Sequence, residues 1–255
     1  MEFVSVTKDD AVAVVTLDRP PVNALNEEFA LELKAGFTEC ADPAIRAVVV
    51  TGSPHFAAGA DIKGFQASFD AGVEERSAWT LQEAIATLEG LEKPTLAAVH
   101  GYALGGGLEV AMGADFRYLA DDSRVGQPEI LLGLIPGAGG TQRLARLVGY
   151  QRAKEMVLSG RQISADEALE IGLADRVFPS AELDAAALES AREWATKPTL
   201  AIAAAKMAFH KGFGTPVDEG LLFERDAFNQ SFRTDDAREG VAAFIGKREA
   251  EFKGR

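Results

Sequence analysis

Apolar positions follow more than one period along this chain, and each period predicts a different element. Phe3 to Thr7 and Val12 to Leu17 are rich in β-branched residues and flank the polar run Lys8-Asp9-Asp10, the pattern of a hairpin with its turn. Arg19-Pro20-Pro21 closes the second strand, because proline has no N–H to give a ladder. Asn26 stands where a helix N-cap belongs, with Glu27 and Glu28 in the favoured first turn. Ala30, Leu33, Phe37 and Cys40 or Ala41 then fall on one helical face.

Beyond this point short, wholly apolar runs alternate with helical patterns. Ala47 to Thr51, Thr95 to Val99 and Phe116 to Ala120 read as strands buried on both faces, and Ala174 to Phe178 as a fourth. A loop runs through Ala60, followed by a helix near Arg76 to Glu92 with Ile85, Leu88 and Leu91 inward, broken before Pro94. Helices are expected near Thr141 to Leu147 and Gln151 to Leu158, and Ser164 with Glu167 is a capping box that starts another. After about Glu182 no strand signal remains. Helical stretches near Ala181 to Ala195, Pro198 to Phe209 and Pro216 to Gln230 precede a last one from Thr234. The pattern predicts an α/β body, residues 1–195, and an all-helical region, 196–255, that packs on the body, on a neighbouring subunit, or on both.

Composition narrows the function. With 255 residues, 47% hydrophobic and 25% charged, the chain is globular and long enough to bury a core without staples. A net charge of −13 argues against nucleic acid as a partner, because phosphate binding needs clustered Lys and Arg. The single cysteine, Cys40, cannot form an internal disulfide, and its place in an apolar stripe predicts a buried structural thiol. The start lacks the basic-then-apolar order of a signal peptide. The most apolar stretch, Thr95 to Phe116, is broken by His100, Glu109, Asp115 and a glycine triplet. The expectation is a cytoplasmic protein with no membrane partner.

Three glycine-bearing segments each follow a buried strand: His55 to Lys63, His100 to Glu109, and Gly126 to Thr141. Ligands in α/β sheets collect beyond the carboxyl ends of strands, so these loops are expected to share a crevice. Small residues there let backbone N–H groups approach a ligand, and two such loops facing each other would form an oxyanion hole. Gly-rich turns are also common without any site. No Walker-type phosphate loop, complete dinucleotide fingerprint or nucleophile elbow occurs. His55, His100 and His210 lack metal-ligand spacing: His100 reads as a hydrogen-bonded loop residue and His210 as helix surface. Glu109 and Glu129 sit among apolar neighbours, where acids are rare without a partner or a task. Each could cap an N–H or pair with Arg117 or Arg143, and spacing alone favours that structural role.

These residues together resemble the enoyl-CoA hydratase/isomerase (crotonase) family over nearly the whole chain. The resemblance is carried by the three glycine segments, Arg19-Pro20, Asn23-Ala24-Leu25-Asn26, and the closing Thr234-Asp235-Asp236, Arg238-Glu239-Gly240 and Phe244. It implies a spiral of ββα units with C-terminal helices that build trimers and pairs of trimers. It further implies a CoA thioester whose carbonyl oxygen is held by the N–H groups of Ala60 and Gly106. Main-chain groups around Ala58, Asp61 and Ile62 would face the adenine, Lys63 would lie near the phosphates, and Phe228 and Lys247 would complete a neighbour's CoA site. Residues Gln66 to Ala78 would form a mobile wall of the acyl pocket. Leu108 departs from the small or polar residue often found before the first glutamate.

In such a family both glutamates mark a hydratase, whereas isomerases often keep one. Two carboxylates about 4 Å apart repel by about 4 kcal/mol at an effective dielectric near 20, roughly three pKa units, so they would share a proton near neutral pH. Glu109 would take a proton from water and Glu129 would protonate the α-carbon, with the Gly137 N–H and the Gln127 side chain as supports. The implied reaction is hydration of 2-trans-enoyl-CoA in fatty-acid β-oxidation, with no metal or redox cofactor. The alternatives are double-bond isomerisation through Glu129 alone, another CoA-thioester reaction, and a non-catalytic scaffold.

Overall fold

A computed structural model describes residues 1–72 and 76–255. The hairpin forms as β1 (Val4–Asp9) and β2 (Val12–Leu17), paired antiparallel from Val4 opposite Leu17 to Asp9 opposite Val12. Lys8 and Asp9 thus join the ladder instead of the turn. The turn shrinks to Asp10 and Ala11, with Asp10 at φ 50°, a conformation its short polar side chain tolerates. Helix α1 (Glu27–Glu39) starts at Asn26, whose Oδ1 accepts from the Phe29 N–H at 2.9 Å.

Strand β3 (Ala47–Gly52) follows, then α2 (Ile62–Ala71), α3 (Ser77–Glu89), β4 (Thr95–Val99), the three-residue β5 (Tyr102–Leu104) and α4 (Gly106–Gly113). Next come β6 (Phe116–Ala120), β7 (Arg124–Gly126), a 3₁₀ turn at Pro128–Leu132, α5 (Gly140–Val148) and α6 (Tyr150–Ser159). Then β8 (Gln162–Ser164), α7 (Ala165–Glu170), β9 (Arg176–Phe178) and α8 (Leu183–Ala195) complete the body. Ser164 caps α7 through the Glu167 N–H, as the capping-box pattern predicts. The remaining helices are α9 (Thr199–Gly212), α10 (Val217–Ser231) and α11 (Asp235–Gly246). No helix among the described residues is long and apolar enough to cross a membrane.

The main sheet has the order β1-β2-β3-β4-β6-β9 and is parallel from β2 onward. Its central strands are buried on both faces, as their unbroken apolar runs require. Val48 and Val50 face a core shared with α1, α3 and α4, while Ala47 and Val49 face Leu183, Ala187 and Ala191 of α8. Cys40 lies fully buried in the first core, where burial pushes its thiol up to about 11.

Three expectations change. Strands β5, β7 and β8 form a second, small sheet that the pattern does not announce, because three residues show no period. Residues 62–71, for which the pattern predicts no element, form α2; Asp61 caps it through the Lys63 N–H, and Gly72 ends it at φ 62°. Its ten residues include Gly64, which weakens the helical signal. Helix α3 stops at Glu89, before Gly90, three residues earlier than expected.

Candidate active site

The three glycine segments meet. The loop after β3 lies beside β5, with Ala57 N–H on the Tyr102 carbonyl and Leu104 N–H on the Ala57 carbonyl, each at 3.0 Å. Gly107 tolerates this approach only because it lacks a side chain: a Cβ there would collide with the Ala57 carbonyl. The Gly105 N–H donates to the Gly126 carbonyl at 2.9 Å, which ties the second segment to the third. Gly105 itself has φ 53°, a conformation that favours glycine, and a Cβ on it would lie 2.9 Å from Glu129 Oε1 and displace that carboxylate.

Between the segments lies a cavity of about 450 Å³ with a mostly apolar lining. Ala58, Ala60, Gly106 and Gly137 line it, together with Glu109 and Glu129. Among the described residues no hydrogen bond engages the N–H of Ala60 or of Gly106. For Gly106 this follows from position: it opens α4, where the first N–H groups have no intrahelical acceptor. Leu25 N–H and the Asp61 N–H bracket Ala60 by bonding Gly59 and Leu25 carbonyls at 2.8 and 2.7 Å, which fixes the loop without using the Ala60 donor.

Glu109 sits in the first turn of α4 and is 2% exposed. Its Oε1 accepts from the N–H groups of Ala138 and Gly140, each at 2.7 Å. Burial raises its carboxyl above the ordinary range, and these two donors together with the Arg143 charge act against that rise. Glu129 belongs to the 3₁₀ turn and is half-buried. Burial pushes it up to about 7, with the Glu109 charge adding to the effect. The Gln127 amide nitrogen, oriented by its hydrogen-bond network, donates to both Glu129 oxygens at 2.9 and 3.1 Å. Two acids with unequal environments therefore face one apolar cavity beside a pair of unengaged backbone donors.

Of the structural roles open to the two acids, the capping of N–H groups is formed at Glu109, which takes those of Ala138 and Gly140, whereas neither acid forms an ion pair with Arg117 or Arg143. Arg117 is satisfied by Asp175 and by the Leu173 and Ala114 carbonyls, and Arg143 pairs with Glu89. The donors that reach Glu109 belong to Ala138 and Gly140, whereas the Gly137 carbonyl accepts from Gln82 at 2.6 Å. Ile62 lines the cavity; Asp61 and Lys63 do not. Asp61 instead pairs with Arg19 at 2.8 Å, and Lys63 is exposed on the first turn of α2. Phe228 and Lys247 lie exposed on α10 and at the end of α11, outside the cavity of their own chain. Of the expected wall, Ser68, Phe69, Ser77 and Ala78 line the cavity, while residues 73–75 lie outside the described residues. His100 is bonded to Asp184 at 3.0 Å, and His210 is exposed.

The sequence and the fold have counterparts among known proteins. The model of the enoyl-CoA hydratase/isomerase family matches residues 7–255. A crotonyl-CoA hydratase of Syntrophomonas wolfei is 42% identical over 256 residues, covering 98% of each chain. A short-chain-enoyl-CoA hydratase of Clostridium acetobutylicum is 42% identical over 254 residues, covering 97% of each. The crystal structure of an enoyl-CoA hydratase from Bacillus anthracis superposes with a TM-score of 0.91 at 36% identity, covering 99% of this chain and all of that one. The chain belongs to the enoyl-CoA hydratase/isomerase family.

Proposed function

We propose that this protein hydrates 2-trans-enoyl-CoA to 3-hydroxyacyl-CoA, as fatty-acid β-oxidation requires. The observation that carries the reading is the pair Glu109 and Glu129 facing one cavity beside the Ala60 and Gly106 donors. The thioester carbonyl accepts from those two N–H groups, which polarises the conjugated double bond. Glu109, held as carboxylate by two N–H donors, takes a proton from water as its oxygen bonds to C3. Negative charge moves to the thioester oxygen, where the two N–H groups stabilise it. Glu129, protonated near neutral pH, then delivers its proton to C2. A proton returns from Glu109 to Glu129 before the next turnover. The chemistry thus adds one water with no net gain or loss of protons by the enzyme. A donor of the Ala60 or Gly106 kind contributes about 10²–10³ in kcat.

The apolar residues left exposed on the last helices, among them Phe209, Phe228, Phe232 and Phe244, support association of copies through region 196–255. In such an assembly Phe228 and Lys247 complete a neighbour's CoA site, and the mass in solution distinguishes trimer from hexamer. The activity is tested by the loss of enoyl-thioester absorbance when the purified protein meets crotonyl-CoA. Rapid loss supports hydration. No loss with this or longer 2-enoyl chains, together with conversion of 3-enoyl-CoA to 2-enoyl-CoA, would make the protein an isomerase.

A further inference from the structure

Glu109 does not hold its orientation unaided. Both N–H groups on its Oε1 come from the turn that leads into α5. That turn passes through Gly139 at φ 108° and has no side chain of its own to fasten it. The guanidinium of Arg143, on the first turn of α5, folds back over it. Its Nη1 donates to the Ala138 carbonyl at 2.8 Å, and a Cβ on Gly139 would collide with it. The other edge of the guanidinium forms a fork on Glu89, with Nε and Nη2 each 2.6 Å from a carboxylate oxygen. Glu89 is the last residue of α3, the helix that walls the cavity with Ala78 and Leu81. Side-chain exposures of 20% and 25% keep the pair partly desolvated.

A tether between α3 and α5 alone would have no need to reach the Ala138 peptide. Here one guanidinium grips the carbonyl of the residue whose N–H holds Glu109. The charged groups facing Glu109 are Arg143 from α5 and Glu129 from the 3₁₀ turn, while Glu89 of α3 faces Arg143. We infer that Arg143, braced by Glu89, is a positioning residue that aims the Glu109 carboxylate and keeps a positive charge beside it. The inference rests on Glu109 acting as the base of the proposed hydration.

The test measures crotonyl-CoA kinetics and the titration of the Glu109 carboxyl carbon by ¹³C NMR, its resonance assigned by loss in Glu109→Gln. Arg143→Gln lowers kcat about tenfold to a hundredfold with KM little changed, because the carbonyl-binding loops are untouched. It also moves the Glu109 midpoint upward. Arg143→Lys restores the midpoint but only part of kcat, since it keeps the charge and loses the fork. Glu89→Gln leaves the guanidinium uncompensated and moves the midpoint downward. A folded Arg143→Gln protein with the parent's midpoint and kcat overturns the inference. Should that variant not fold, Glu89→Gln decides: a lowered midpoint supports the inference and an unmoved one overturns it. Absence of hydration in the parent would remove the proposed function, whereas the midpoint would still report whether Arg143 controls Glu109.

Discussion

Glu109 and Glu129 face the same cavity from segments built in opposite ways. Glu109 rides on a helix whose start is pinned between two other loops, and backbone N–H groups hold its carboxylate. Glu129 rides on a short 3₁₀ turn, half-exposed, and its polar contacts come from the side chain of Gln127. Burial raises the Glu109 carboxyl, and the two backbone donors, which cannot become acceptors, act against that rise in favour of the carboxylate. An apolar setting with one adjustable amide lets Glu129 keep a proton near pH 7 and release it. In the proposed mechanism this difference would divide a base from an acid by environment, not by residue type.

The most severe way to break the division is to remove either ionisable group while keeping its shape. Glu109→Gln retains an acceptor oxygen for the Ala138 and Gly140 donors, and Glu129→Gln retains a polar group beside Gln127. Each is expected to lower kcat for crotonyl-CoA by about 10²–10⁴ with unchanged thermal stability or better. Survival of more than a tenth of the parent rate in either variant would contradict the paired roles.

A smaller effect is expected where the two supports touch. A Cβ on Gly140 would lie 2.7 Å from the end of the Gln127 side-chain amide, on the side turned away from Glu129, and 2.7 Å from Pro136 Cβ. Gly140→Ala therefore disturbs the donor on Glu109 and the amide on Glu129 together. A loss of about tenfold in kcat and about 1–3 kcal/mol in stability is expected, measured by steady-state rates and urea unfolding. Gln127→Leu disturbs only Glu129, and a severalfold loss with a displaced basic limb of the pH profile separates the two supports.

The mildest probe is thermodynamic. Glu129 is pushed up to about 7 in the folded chain, against about 4.3 when unfolded. Between those values the folded state binds the extra proton, so stability falls as pH rises through the window. Glu129→Gln removes this loss. Its Tm should exceed the parent's at pH 8 and match it at pH 4, as scanning calorimetry would show. Equal Tm values at both pH values would mean that Glu129 keeps an ordinary carboxyl.

The contrast between the two segments also marks what can be read from residues alone. The central strands are legible because Ala47–Gly52 and Thr95–Val99 are buried on both faces and show it as unbroken apolar runs. Glu109 and Glu129 stand out because acids rarely lie among Leu, Val and Ile. The groups that differentiate them are hidden for physical reasons. Ala138 and Gly140 act through backbone N–H groups, which every residue type except proline carries. The Arg143–Glu89 pair joins residues 54 positions apart, so no local spacing reveals it. Strands β5, β7 and β8 are too short for periodicity, yet they bring the glycine segments together.

The most direct test is the pH dependence of kcat/KM for crotonyl-CoA between pH 5 and 9. The account predicts a basic limb near pH 7, where the pair loses its shared proton, and its displacement in Gln127→Leu. An activity that stays flat through pH 9 would contradict Glu129 as the acid.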